Sequence, residues 1–185
     1  MTKGIVLSLH KKRRRVNCST EGVAEETQPS DGRLSDAEMR ANVVRLAFGG
    51  NLERFNDFIR LIEEEVPPGT GAVLRGSAIT GRRWNDGAPF DADGPGTSDL
   101  DLTLVGSQVV SLFNITGFFV PGVHSRPLSD AEPGLAPKLL ALREGLTILA
   151  GRPVNVQASR EIVIQLRGDL LGQPYLVLIE RTEGA

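Results

Sequence analysis

Residues 71–106 read GAVLRGSAITGRRWNDGAPFDADGPGTSDLDLTLVG. An apolar run, Ala72-Val73-Leu74, meets a Gly-Ser pair, Gly76-Ser77. The stretch closes on Ser98-Asp99-Leu100-Asp101-Leu102-Thr103-Leu104-Val105, whose alternation and β-branched end predict a strand. Residues two apart on a strand share a face. Asp99 and Asp101 are therefore expected on one side, with Leu100, Leu102 and Leu104 on the other. Neighbouring carboxylates repel, and desolvation raises their pKa values unless a positive charge sits between them. Magnesium or manganese meets that need: magnesium takes oxygen ligands at roughly 2.0–2.1 Å and commonly uses one or two carboxylates plus substrate phosphates.

Gly76 and Ser77 supply the complementary part. Glycine lets a backbone approach a phosphate closely, and a serine hydroxyl beside N–H groups at a helix start can hold a phosphate tail. The pieces amount to a site for a metal-bound nucleoside triphosphate. Leu74-Arg75-Gly76-Ser77 followed by Thr97-Ser98-Asp99-Leu100-Asp101-Leu102 resembles the nucleotidyltransferase superfamily to which DNA polymerase beta belongs. The likeness in layout runs over roughly residues 50–180, and its specificity lies in the two motifs together, in order, each attached to an apolar run.

That resemblance implies an α+β fold, with a mixed β-sheet and helices mainly on one face. It also implies transfer of a nucleotidyl group from a nucleoside triphosphate to an acceptor hydroxyl on a small molecule, a nucleic acid or a partner protein. The spacer from Ala78 to Ser98 is 21 residues, longer than usual in that superfamily. Asn155 stands where the superfamily carries a third acid. Its carbonyl can ligate a metal, but it brings no charge and cannot take a proton. The expected catalytic set is Asp99, Asp101 and Asn155, with Asp99 and Asp101 as metal ligands. The alternative is a catalytically impaired nucleotide-binding or protein-interaction module of the same fold. Glu161 and Glu180 are open as substitutes for the third acid, beside plainer readings as a helix start and a strand end.

In the long spacer, Arg82 and Arg83 are candidate phosphate contacts and Trp84 a candidate stacking surface, against the plainer reading of an ordinary solvated loop. Asp91-Ala92-Asp93-Gly94 fails as a calcium loop, because Pro95 occupies the next ligand position and Leu102 replaces the terminal glutamate. Asp91 and Asp93 are instead expected to shape the turn. Further on, Pro137 opens a helix carrying Leu139, Leu142, Leu146 and Leu149 at helical spacing and ending at Gly151. Lys138 and Arg143 lie off that stripe, facing either a triphosphate or water. The stretch from Pro121 to Pro137 reads as loop, and His124 as a loop residue within it.

Upstream, Ser35-Asp36-Ala37-Glu38 is a capping box for a helix to about Phe48. Asn51 caps a second helix with Leu52, Phe55, Phe58, Ile59, Ile62 and Val66 on one stripe, ended by Pro67-Pro68. Strands are expected at Phe118–Val120, at 152–157 and at 175–180, with a helix from about Ser159 to Leu170.

Residues 1–34 read as a basic and polar tail, and 35–185 as one domain. Six of the 21 basic residues fall within residues 1–15, which leaves 15 basic against 23 acidic in the remainder. The acidic body argues against broad capture of duplex nucleic acid. The run from His10 to Arg15 is open between a nucleic-acid or membrane-surface contact and a solvated tail. The single Cys18 excludes an internal disulfide, and two histidines are too few for a histidine-based zinc site. No apolar run reaches the length of a membrane span, and a cytoplasmic protein is the expectation.

Overall fold

Ser35 accepts a hydrogen bond from the Glu38 backbone N–H, and the Glu38 carboxylate accepts one from Ser35 N at 2.8 Å. This reciprocal cap starts α1 (Asp36–Ala47). The side chain of Asn51 caps α2 (Leu52–Glu65) in the same sense, accepting from Arg54 N at 3.0 Å. Phe48, between the helices, meets Phe55 and Phe58 edge-on at centroid distances of 5.3 and 5.4 Å. The computed structural model describes residues 33–182, so the basic run and all but the last two residues of the tail expected over 1–34 lie outside the described residues.

After α2 the chain runs β1 (Gly71–Arg75), a single helical turn α3 (Ser77–Thr80), β2 (Leu100–Val105) and a second single turn α4 (Ser107–Val110). Then follow β3 (Phe118–Val120), β4 (His124–Ser125), α5 (Leu140–Ala150), β5 (Val154–Ser159), α6 (Glu161–Leu171) and β6 (Leu176–Ile179). The strands form one six-stranded mixed sheet in the order β3-β4-β5-β2-β1-β6. Parallel β2 and β5 sit at its centre, joined by a crossover through α5, and β1 pairs antiparallel with β2 on the other side. The fold is α+β with a mixed sheet.

Alternation divides the sheet into two unlike faces. Leu74, Leu100, Leu102, Leu104, Val154, Val156 and Ala158 are buried with the apolar stripes of α1, α2 and α5. A side chain of this kind contributes roughly 1.5–3 kcal/mol when taken out of water. Asp101, Thr103, Asn155 and Gln157 occupy the alternate positions. Farther along that second face Val73 and Val105 form a smaller apolar patch with Ile164 of α6 and Tyr175 and Val177. Among the described residues helices therefore stand on both faces, α1, α2, α5 and the single turns α3 and α4 on the apolar side and α6 on the polar one. Among the described residues no helix is long and apolar enough to cross a membrane.

Three local expectations change. β2 begins at Leu100, so Asp99 lies just before the strand. Pro137 opens a separate 3-10 turn, Pro137–Leu139, ahead of α5. His124 is not a loop residue: it is buried on β4, its Nδ1 3.2 Å from Ser159 Oγ and its Nε2 3.4 Å from Arg167 Nη1. Burial, then the charges of Arg167 and Arg75, push its pKa down to about 4, so the ring is neutral at pH 7.

Candidate active site

Strand register places the acids. Asp101 is the Cα partner of Asn155 across the parallel β2–β5 pair and of Arg75 across the antiparallel β1–β2 pair. Leu100 N donates to Pro153 O at 2.9 Å and extends the β2–β5 ladder towards Asp99. The Asn155 carboxamide donates to Asp99 Oδ2 at 2.5 Å and to Asp101 Oδ1 at 3.3 Å. One amide therefore spans both carboxylates, and the two acids address the same side. Asp99 is exposed, whereas Asp101 is largely covered. Burial, then the charge of Asp99, raises the Asp101 pKa, while Asn155, Arg75 and Arg167 pull it down.

The turn after β1 brings the Gly-Ser pair against this acid. Gly76 has φ +83°, and a Cβ there would stand 3.0 Å from Asp101 Oδ2. A side chain at position 76 would both strain the backbone and press on the carboxylate. Ser77 is the first residue of α3, which spans four residues, so the helix-start contribution expected there is confined to one turn.

Beside Asp101 lies a cavity of about 210 Å³, lined in part by Arg75, Gly76, Arg82 and Arg167. Arg75 reaches across the polar face, its Nε donating to Thr103 Oγ1 at 3.0 Å and its Nη2 to Gln157 Oε1 at 2.5 Å. Burial, then the charge of Arg167, lowers the Arg75 pKa, with Asp101 opposing. Guanidiniums gathered around one carboxylate leave a positive excess that suits an anion. Arg75 and Arg167 were not among the residues expected at the site. Arg75 shares the parity of Val73 on β1, a signal that becomes readable once β1 is paired antiparallel with β2.

The donor set fits a hard divalent cation. Two carboxylates converge, and the Asn155 carboxamide, turned about its terminal bond, would offer an oxygen instead of its NH2. The charge of Asp99 disfavours a second negative charge on Asp101, and a cation shared by the two carboxylates would relieve that repulsion. Among the described residues no three His, Cys, Asp or Glu side chains cluster as a self-sufficient metal site, so phosphate oxygens or water would complete the shell.

The remaining candidates separate. Arg82 lines the cavity, with Nη1 donating to Gly87 O at 3.1 Å. Arg83 pairs with Asp93 within the loop. Asp91 anchors that loop, accepting from Ser98 N at 2.9 Å, Gly96 N at 3.0 Å and Arg152 Nη1 at 3.0 Å. Desolvation would raise the Asp91 pKa, but these donors bring it down to about 2. Lys138 precedes α5, whose 11 residues end beside the start of β5. That is about 16 Å of helix, and Lys138 does not line the arginine cavity. Arg143 is buried, holding Val154 O at 2.9 Å and Asp130, and does not line the arginine cavity. Neither Glu161 nor Glu180 stands beside the Asp99–Asp101 pair. Glu161 pairs with Arg181, and it lines a separate groove with Glu180, Val105 and Gly71 at the far end of β2 from Asp101.

Comparison with family models, with curated proteins and with solved structures gave no match.

Proposed function

We propose that this chain is a metal-dependent nucleotidyltransferase that moves a nucleotidyl group from a nucleoside triphosphate to an acceptor hydroxyl and releases pyrophosphate. The observation that carries the reading is the convergence of Asp99, Asp101 and Asn155 at the edge of an arginine-lined cavity. Arg75, Arg82 and Arg167 hold the β- and γ-phosphates, and Gly76 keeps the backbone low enough for them to lie close to Asp101. The acceptor oxygen bonds to the α-phosphorus as the bond from that phosphorus to the bridging oxygen breaks. The electron pair departs with pyrophosphate, and the hydroxyl proton passes to water on the solvent-open side where Asp99 stands. Magnesium or manganese, when held by Asp99 and Asp101, supplies a Lewis acid that withdraws charge from the phosphate oxygens.

A second reading draws on the same amide. Asn155 donates to both acids and brings no charge of its own, which favours a module that binds nucleotide without turnover. One experiment separates the two. The protein is incubated with each α-labelled triphosphate, magnesium and a cell extract, and products are read by autoradiography and mass spectrometry. Label on a protein, an RNA end or a small molecule, lost in both Asp99→Ala and Asp101→Ala, supports transfer. Label unchanged in either variant overturns the mechanism. Magnesium-dependent nucleotide binding without any labelled product supports the second reading.

A further inference from the structure

A larger cavity, of about 560 Å³, adjoins the arginine cavity and shares Thr80, Trp84, Gln173 and Pro174 with it. Its volume lies in the range of small-molecule sites, roughly 300–1,000 Å³, whereas the arginine cavity falls below that range. The two spaces therefore abut along that wall, so a ligand with its phosphates in the smaller one would have its remainder directed at the larger.

The shared wall carries the chemistry. Trp84 has 65% of its surface exposed, yet the turn that carries it is tied down on either side. Arg83 N donates to Ala88 O at 2.8 Å, Phe90 N donates to Gly81 O at 3.0 Å, and Arg82 bridges to Pro89. The Arg83–Asp93 ion pair braces the same turn. The indole is thus presented at the tip of an ordered turn with a large face uncovered, which is how a stacking surface is built. Leu34, Met39 and Tyr175 give the cavity apolar walls. A Cβ at Gly168 would lie 2.8 Å from Tyr175 Cε1, so the glycine within α6 makes room for that ring.

Arg33, Thr80, Asp169 and Gln173 are the polar side chains of the lining, and the last two supply an acceptor and a donor. Gln173 Oε1 accepts from Arg167 Nε at 3.0 Å, which leaves the carboxamide NH2 to donate. Asp169 offers a carboxylate as acceptor. A donor and an acceptor beside an aromatic plane match the hydrogen-bonding edge of a nucleobase, and a purine covers more of the indole than a pyrimidine does.

We infer that the larger cavity binds the purine base of the nucleotide, stacked on Trp84 and read by Gln173 and Asp169. The inference rests on the reading of the arginine cavity as the phosphate site, and its test separates the two. Trp84 is the only tryptophan of the chain, so its fluorescence reports the site directly. The full-length protein is titrated without metal with adenosine, guanosine and tripolyphosphate, by fluorescence and by calorimetry. Saturable quenching is expected with at least one purine nucleoside. Its affinity should fall tenfold or more in Trp84→Ala and stay within about threefold in Trp84→Phe, since stacking needs an aromatic face. Absence of quenching by either nucleoside, or equal affinity in Trp84→Ala, overturns the base site even if tripolyphosphate binds. Nucleoside binding without tripolyphosphate binding keeps the base site and removes the phosphate reading.

Discussion

Replacing Asn155 by Asp converts the amide that spans Asp99 and Asp101 into a third carboxylate. The two donated hydrogen bonds, at 2.5 and 3.3 Å, are lost, and acceptor then faces acceptor. Two unit charges about 4 Å apart repel by about 4 kcal/mol at the effective dielectric of a protein surface and by about 1 kcal/mol in water. The covered Asp101 belongs nearer the first figure and the exposed Asp99 nearer the second. Sharing a proton among the three acids relieves part of this, leaving a net loss of about 2–4 kcal/mol. For a chain of this length that lowers the melting temperature by roughly 5–15 °C. Magnesium should reverse the effect, because a ligand at a hundred times its dissociation constant restores about 2.7 kcal/mol. Differential scanning fluorimetry of wild type and Asn155→Asp, in EDTA and across a magnesium series, reads both parts. Under the transfer reading the variant should also produce more labelled product. A variant as stable as wild type in EDTA, with no magnesium-dependent rise, would refute the claim that these three side chains share one cation-seeking pocket.

Gly76→Ala should destabilise the chain by about 1–3 kcal/mol through its positive φ and weaken magnesium-nucleotide binding at least tenfold by displacing Asp101, as read by chemical denaturation and calorimetry. Asp101 has a raised pKa, so its folded-state cost is absent at low pH and develops as pH rises through that pKa. Without metal, Asp101→Asn should therefore gain stability relative to wild type as pH climbs from the acid range towards neutrality, and a constant difference across that range would contradict the assignment. Asp91, with its pKa down at about 2, works in the opposite sense. Asp91→Ala leaves the nearly buried Arg152 without its carboxylate and should cost about 3–5 kcal/mol at pH 7, a deficit that shrinks as pH falls from about 4 towards 2.

Much of the helical framework is legible because local chemistry decides it. Ser35 with Glu38, Asn51 and Gly151 mark helix ends that the structure also uses. The central strands declare themselves by alternation, and Asn155 falls opposite Val154 and Val156 as its parity requires. What stays hidden depends on pairing across distance. β4 is two residues in a proline-rich stretch, held by Ala158 N donating to Ser125 Oγ at 2.8 Å and Gln157 Nε2 donating to Ser125 O at 3.0 Å. Arg75 and Arg167 meet beside Asp101 only after β1 has paired and α6 has crossed the polar face. Lys138 fails for the converse reason: its local setting beside a helix start looks suitable, but the length of α5 carries it away.

Arg152 has one further consequence. Its guanidinium donates to Asp91, to Ser98 O at 3.0 Å and to Leu46 O at 3.3 Å, while its carbon lies 4.5 Å from the Phe90 ring centroid. A single side chain so riveted to the loop, the α1 corner and the entry to β5 denies that loop the freedom of a flap. Amide exchange at Gly96 and Ser98 should accordingly track the neighbouring strands, while the Trp84 turn, which Arg152 does not touch, relies on its own Arg83–Ala88 and Phe90–Gly81 hydrogen bonds.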